Sequence, residues 1–165
     1  MRYNRAVLLD RMADHVLAHG LGQATLRRLA AASGTSDRML LYHFQSKSML
    51  VAALLDHLAL RMKALLDAAV TPATFETEAA LVTVTVGAMR SPLFSPYIRV
   101  WLEIVAAAAG GESAHRETGE RIARLYLQWL AMRHPDGERG ALNALRLIEG
   151  TILLDAIGFA DQPAA

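Results

Sequence analysis

The sequence predicts an all-α chain of about eight helices, an amino-terminal helix-turn-helix unit followed by a larger helical body. Three observations carry that expectation. Apolar content is 53% while aromatics are only 6%, so Ala, Leu, Val, Ile and Met dominate, and strong helix formers lead that set. Apolar positions recur at helical spacing along most of the chain. The one stretch that alternates like a strand, LVTVTV at 81–86, has no second strand to pair with. A lone strand leaves its backbone groups unpaired, so helix is predicted there too.

The elements follow in order. Leu9, Met12, Ala13, Val16 and Leu17 obey the i, i+3, i+4, i+7, i+8 rule, giving a first helix over 4–19 that stops at Gly20, with GLG as a loop. Thr25 caps a short second helix whose inward side is Leu26, Leu29 and Ala30, and Gly34 ends it. Ser36 caps a third helix closing near Phe44, with Asp37 in the first turn where a carboxylate suits the dipole. Ser46 caps a fourth, running to about Ala69. Thr71-Pro72 marks the start of a fifth, and Ser91-Pro92 with Ser95-Pro96 bracket the entry to a sixth. A seventh runs from about Ser113 to Arg133 and, after the loop HPDGERG, an eighth from about Glu138 to Phe159.

The totals exclude several classes. The chain has 165 residues and no cysteine, which removes disulfides, thiolate catalysis and Cys-ligated zinc. Met1 leads straight into charged residues rather than an apolar block, and uncharged apolar stretches stay short of the roughly 20 residues needed to span a bilayer. A cytoplasmic protein with no membrane partner is expected. Net charge is +1, but residues 1–47 hold seven Lys/Arg against three Asp, while 48–165 hold ten basic against thirteen acidic groups. A basic head on a mildly acidic body suggests contact with a polyanion at one end. The expected division is therefore 1–47 and 48–165.

The short third helix sharpens that suggestion. Leu40 and Phe44 share one face, with Thr35 beside the turn, while Asp37, Arg38, Leu41 and Tyr42 share the other. A second helix after a Gly-containing turn is the element that enters a DNA major groove. Arg38 offers paired donors to guanine O6 and N7, and Leu41 or Met39 can touch a thymine methyl. Tyr42, His43, Lys47, Thr25 and the helix start at Ser36 suit phosphate oxygens. A solvated helical hairpin is the plainer reading of the same spacing.

Residues 5–56, RAVLLDRMADHVLAHGLGQATLRRLAAASGTSDRMLLYHFQSKSMLVAALLD, resemble the amino-terminal domain of the TetR (tetracycline-repressor-like) family of transcription regulators. The matching features run in order through HGLGQATLRRLA, AASGTS and LYHFQSKSML. PYIRVWLEIVAAAAGGES and LRLIEGTILLDAIG resemble the family's effector-domain helices more loosely. The resemblance implies a homodimeric repressor on a palindromic operator, released by a small ligand. It puts Thr25, Arg27, Arg38, Met39, Tyr42, His43 and Lys47 against DNA, with Lys47 on a phosphate. It also shows a departure. Many members carry tyrosine three places before the motif's phenylalanine, whereas this chain has Leu41 there and tyrosine at 42, which shifts a phosphate contact to Tyr42 or removes it.

In the body, the last two helices are apolar on more than one side. Ile122, Leu125, Tyr126, Trp129 and Leu130 on the seventh are one expected seam. Leu142, Leu145, Ile148 and Ile152 form one stripe of the eighth, and Leu147, Thr151 and Leu154 another. A helix greasy on two faces is buried on two faces, so a homodimer through these helices is expected, burying upwards of about 1,200 Å². Gly150 would let a neighbouring backbone approach. Helices four to seven would hold the effector, with Leu58, Met62, Met89, Phe94, Tyr97, Trp101 and Trp129 as lining candidates and His57 and Glu103 as orienting groups. Glu103 is also placed for an ion pair with Arg99.

Catalysis and a resident cofactor or metal are not expected. No GxSxG, GxGxxG or P-loop pattern occurs. His15 and His19 are four apart but lack a third ligand, and Glu112 and His115 supply one ExxH where di-iron bundles use two. The alternative to a regulator is a helical small-molecule binder or scaffold that has lost DNA binding.

Overall fold

The computed structural model describes residues 4–71 and 73–159. Eight α-helices lie among them: α1 Arg5–His19, α2 Leu26–Ser33, α3 Asp37–Phe44, α4 Lys47–Ala69, α5 Glu78–Met89, α6 Ser95–Ala109, α7 Ser113–Ala131 and α8 Glu138–Ala156. A single 3-10 turn at Leu21–Gln23 fills the expected GLG loop. No strand occurs among the described residues, and none of their helices is long and apolar enough to cross a membrane.

Local chemistry sets most helix starts. Asn4, Thr25, Ser36, Ser46 and Thr77 each accept a backbone N–H of the following first turn, satisfying donors that have no partner within the helix. The α5 start corrects the expectation. Thr77, not Thr71, is the cap, and the Phe75 N–H is held by the Arg133 carbonyl at 3.0 Å; Pro72 lies outside the described residues. The β-branched run at 81–86 is helical as expected, because Leu81, Thr85, Val86 and Met89 are its buried positions, a helical spacing hidden inside apparent alternation. Helix α8 ends at Ala156, short of Phe159. Gly158 at φ 78° turns the chain there, and the Phe159 N–H closes onto the Leu154 carbonyl.

The chain forms two compact units. The first comprises residues 1–62 and 96–122, the second 63–95 and 123–165. In the first, Leu8, Met12, Val16, Leu29, Leu40, Phe44, Leu50 and Leu54 are each at most 2% exposed and form the core under the helix-turn-helix. Two ion pairs tie α1 to α4, His57–Asp10 and Arg61–Asp14, both at 2.8 Å. Helix α6 grips the far end of α1. Arg99 donates to the Leu17 carbonyl, and Glu103 accepts the Gly22 N–H at 3.0 Å. The expected Arg99–Glu103 pair therefore gives way to separate bonds, Arg99 with the last turn of α1 and Glu103 with the loop that follows.

In the second unit, Asp67 is a hub. Its oxygens take Lys63 at 2.7 Å, Trp129 Nε1 at 2.7 Å and Arg133 Nη2 at 2.8 Å. The Arg133 guanidinium also stacks 4.1 Å from the Trp129 ring centroid. Glu78 holds both His134 and Asn143. The inner stripe of α8 is Ala141, Ala144, Ile148 and Ile152. Leu142, expected on that stripe, is 44% exposed.

Candidate nucleic-acid interface

The α2–turn–α3 segment is held by its backbone before any side chain acts. Gly34 sits in the left-handed region at φ 72°, ψ 32°, and the Thr35 N–H closes onto the Ala30 carbonyl at 3.0 Å. A Cβ at 34 would stand 3.1 Å from Arg11 Nη1, which itself bonds the Ser33 carbonyl at 3.1 Å. The Ser33 hydroxyl, fully buried, donates back to the Leu29 carbonyl. Helix α3 is thus fixed on α1 and α2 by a short chain of bonds around one glycine.

Helix α3 divides as its sequence requires. Leu40 and Phe44 are sunk in the core at 0% and 2% exposure, whereas Arg38, Leu41 and Tyr42 stand in solvent, Tyr42 at 78%. Thr25, Arg27, Ser36 and Lys47 are also exposed, and Met39 and His43 are half-buried. The Tyr42 and His43 rings meet edge to face with centroids 5.5 Å apart. Thr25 and Ser36 spend their oxygen lone pairs as helix caps, but each hydroxyl still carries a proton it can donate.

Not all seven cations of the head are equivalent. Arg2 lies outside the described residues. Arg5 stacks 4.9 Å over the Phe44 ring and Arg11 clamps the turn, so both serve the fold. Arg27, Arg28, Arg38 and Lys47 make no ion pair among the described residues and are exposed. Arg28 counts in the charge of the head but stands outside the expected contact set, which takes only Thr25 and Arg27 from this helix. Two of the head's acids are engaged from α4, since Asp14 pairs with Arg61 and Asp10 is hydrogen-bonded to the His57 ring. Exposed cations on α2, on α3 and at the start of α4, with Tyr42 beside Arg38 on α3, have the chemistry to bind phosphate oxygens and base edges.

A second feature lay outside the sequence reading. Gln45, between α3 and α4, has φ 67° and ψ −44°, and is the only non-glycine with positive φ among the described residues. The Ser46 N–H reaches back to the Phe44 carbonyl at 2.8 Å, a γ-turn of the rare strained hand. Glycine is the usual signal for such a bend, and here there is none.

The expected effector residues fall in both units. Leu58, Met62 and Tyr97 are buried in the first, and Met89, Phe94 and Trp129 in the second. Trp101 is half-buried in the first. The polar ones have partners in the chain: His57 on Asp10, Glu103 on Gly22, Trp129 on Asp67. Among the described residues no group of three His, Asp or Glu is placed to hold a metal.

Residues 12–54 match the family of bacterial regulatory proteins, tetR family. Three solved structures share the fold over nearly the whole chain. One is assigned as a TetR-family transcriptional regulator from Rhodococcus sp., with TM-score 0.72, 19% identity, and coverage of 95% of this chain and 89% of that one. The second is assigned as a transcriptional regulator from Streptomyces coelicolor A3(2), with TM-score 0.75, 20% identity, and coverage of 98% and 90%. The third is a transcriptional regulator from Rhodococcus sp. Rha1, with TM-score 0.69, 21% identity, and coverage of 94% and 84%. Comparison with curated proteins finds no match.

Proposed function

We propose that this chain, whose residues 12–54 match the tetR family of bacterial regulatory proteins, is a cytoplasmic, homodimeric repressor that binds a palindromic DNA operator and is released by a small ligand. The observation that supports this reading best is the division of α3, with Leu40 and Phe44 buried and Arg38 and Tyr42 fully presented. Arg38 contacts a guanine edge, Met39 and Leu41 approach thymine methyls, and Thr25, Arg27, Ser36, Tyr42, His43 and Lys47 hold the backbone. With tyrosine displaced to 42, its exposed hydroxyl serves the phosphate instead of a residue at 41.

The dimer forms through α8 and the adjoining part of α7. Ile122, Trp129 and Leu130 are already buried inside the chain, so the contact falls on the outer face of α8. There Leu147, Leu154 and Ile157 are 47%, 43% and 72% exposed, and a Cβ at Gly150 would meet nothing within 4 Å. Two copies related by a two-fold axis would offer α3 to successive major grooves about one helical turn apart. A ligand that prefers one separation of the two recognition helices releases the DNA, and each tenfold preference is worth about 1.4 kcal/mol.

A footprint and gel shift on DNA upstream of the protein's own coding region tests the reading. A protected two-fold-symmetric site, bound far more tightly than random duplex and weakened steeply by salt, is expected. Weak binding indifferent to sequence would rule it out.

A further inference from the structure

Inside the first unit, the starts of α4 and α7 border a half-open cavity of about 240 Å³. Its wall is apolar, built by Val51, Ala52 and Leu55 of α4 with Ala114 of α7. Thr118, only 3% exposed, brings a hydroxyl to that wall. Its oxygen accepts from Arg121 at 3.1 Å, which leaves the hydroxyl proton for a ligand. Lys47 stands at the rim with no carboxylate partner among the described residues, while Lys63 on the same helix is paired with Asp67. The lining also holds one carboxylate, Glu112, whose Oε2 lies 2.8 Å from His115 Nδ1 without hydrogen-bond geometry.

Size and charge together define the occupant. The space equals about eight waters at ~30 Å³ each, below the roughly 300–1,000 Å³ of pockets for drug-sized molecules. It suits about ten non-hydrogen atoms or fewer. Helix α7 begins at this cavity, and the N–H groups of a first helical turn favour an anion, whereas the first turn of α4 is already capped by Ser46. The unpartnered Lys47 ammonium adds a full positive charge. We infer that the cavity binds a small monocarboxylate with an apolar body. Its carboxylate sits on Lys47 and the first-turn amides of α7, and its body lies against Val51, Ala52 and Leu55. Lys47 is also assigned to a DNA phosphate, so a bound acid removes one phosphate contact from the head. That consequence rests on the regulator reading; the site does not.

Phenylacetate and phenylacetamide, alike in shape and different in charge, are titrated into the full chain by calorimetry and thermal shift. The acid is expected to bind at least about tenfold more tightly, as the loss of an ion pair with a charge-assisted bond requires. Lys47→Met should erase that difference. Ala114→Phe, at an exposed position on the cavity mouth, should abolish binding of both; Thr118→Val, which exchanges the wall hydroxyl for a methyl, should weaken both and serves if the phenylalanine disturbs folding. Equal affinity for acid and amide, no binding of either, or binding untouched by these substitutions overturns the site. On a random 30-base-pair duplex, saturating phenylacetate should lower the slope of log affinity against log salt by about 0.9. Acid-selective binding by a chain that takes up no duplex supports the cavity and sinks the regulator reading. Duplex binding without acid selectivity does the reverse.

Discussion

Single residues on α3 carry separable burdens, and substitutions should separate them. Leu40 is completely buried, and Leu40→Ala should cost about 2–5 kcal/mol of stability through lost burial and a residual cavity. Tyr42 is 78% exposed; Tyr42→Ala should leave the urea midpoint nearly unchanged while weakening DNA binding. A variant that loses both together would place Tyr42 in the core's service instead. Arg38 has no ion-pair partner among the described residues, so Arg38→Ala should act chiefly through DNA. A binding-site selection should show relaxed preference at one base pair of each half-site, with a loss of about 1–3 kcal/mol per contact. The side-chain division of α3 was legible in the sequence because burial on a short amphipathic helix follows from spacing alone. The fates of Arg5 and Arg11 were not. A charge count cannot tell a cation stacked on Phe44 from one facing solvent.

Elements were read where a hydroxyl or glycine marks a boundary, and misread where the mark has another use. Thr25, Gly34, Ser36 and Ser46 delivered α2, α3 and the start of α4 to within a residue. Thr71 next to a proline looked like a further start, yet α5 waits for Thr77, because residues 73–77 run as bent, non-helical backbone with Phe75 buried and tied to Arg133. Long-range bonds of this kind leave no local pattern. The α3–α4 bend is the opposite case, a strained turn with no glycine. Gln45→Gly should relieve a backbone strain of order 1–3 kcal/mol against a glycine entropy cost of about 0.5–1 kcal/mol. The melting temperature should rise by a few degrees, about 2–4 °C per kcal/mol for a chain of this size. A fall in melting temperature would show that the glutamine side chain contributes more than its conformation costs.

At the scale of the whole molecule, stability and assembly can be tested apart from DNA. The carboxyl of Asp67 is held below its ordinary value chiefly by the Lys63 hydrogen bond, with Trp129, Lys63 and Arg133 acting in the same sense and burial opposing. Its folded pKa is depressed, so its contribution is full above the unfolded value near 3.8 and is lost as pH falls through the folded one. Asp67→Asn should therefore lower stability at neutral pH and flatten the acid limb of the stability profile, read by urea melts from pH 6 downward. Asp155, held down by Arg90, gives a second and independent acid-sensitive pair. Assembly is tested by Leu154→Glu, which should shift the sedimentation coefficient from dimer to monomer without altering the helical signal. An unchanged dimer would move the seam off this face of α8. The bonds from Arg99 to the end of α1 and from Glu103 to the loop after it bear on synthesis. The last helix of the reading head ends at residue 44, while the carboxylate that fastens its loop arrives at 103. At roughly 5–20 residues per second on the ribosome, the nascent head waits several seconds for its final fastening. A fragment cut at residue 47 would never receive it.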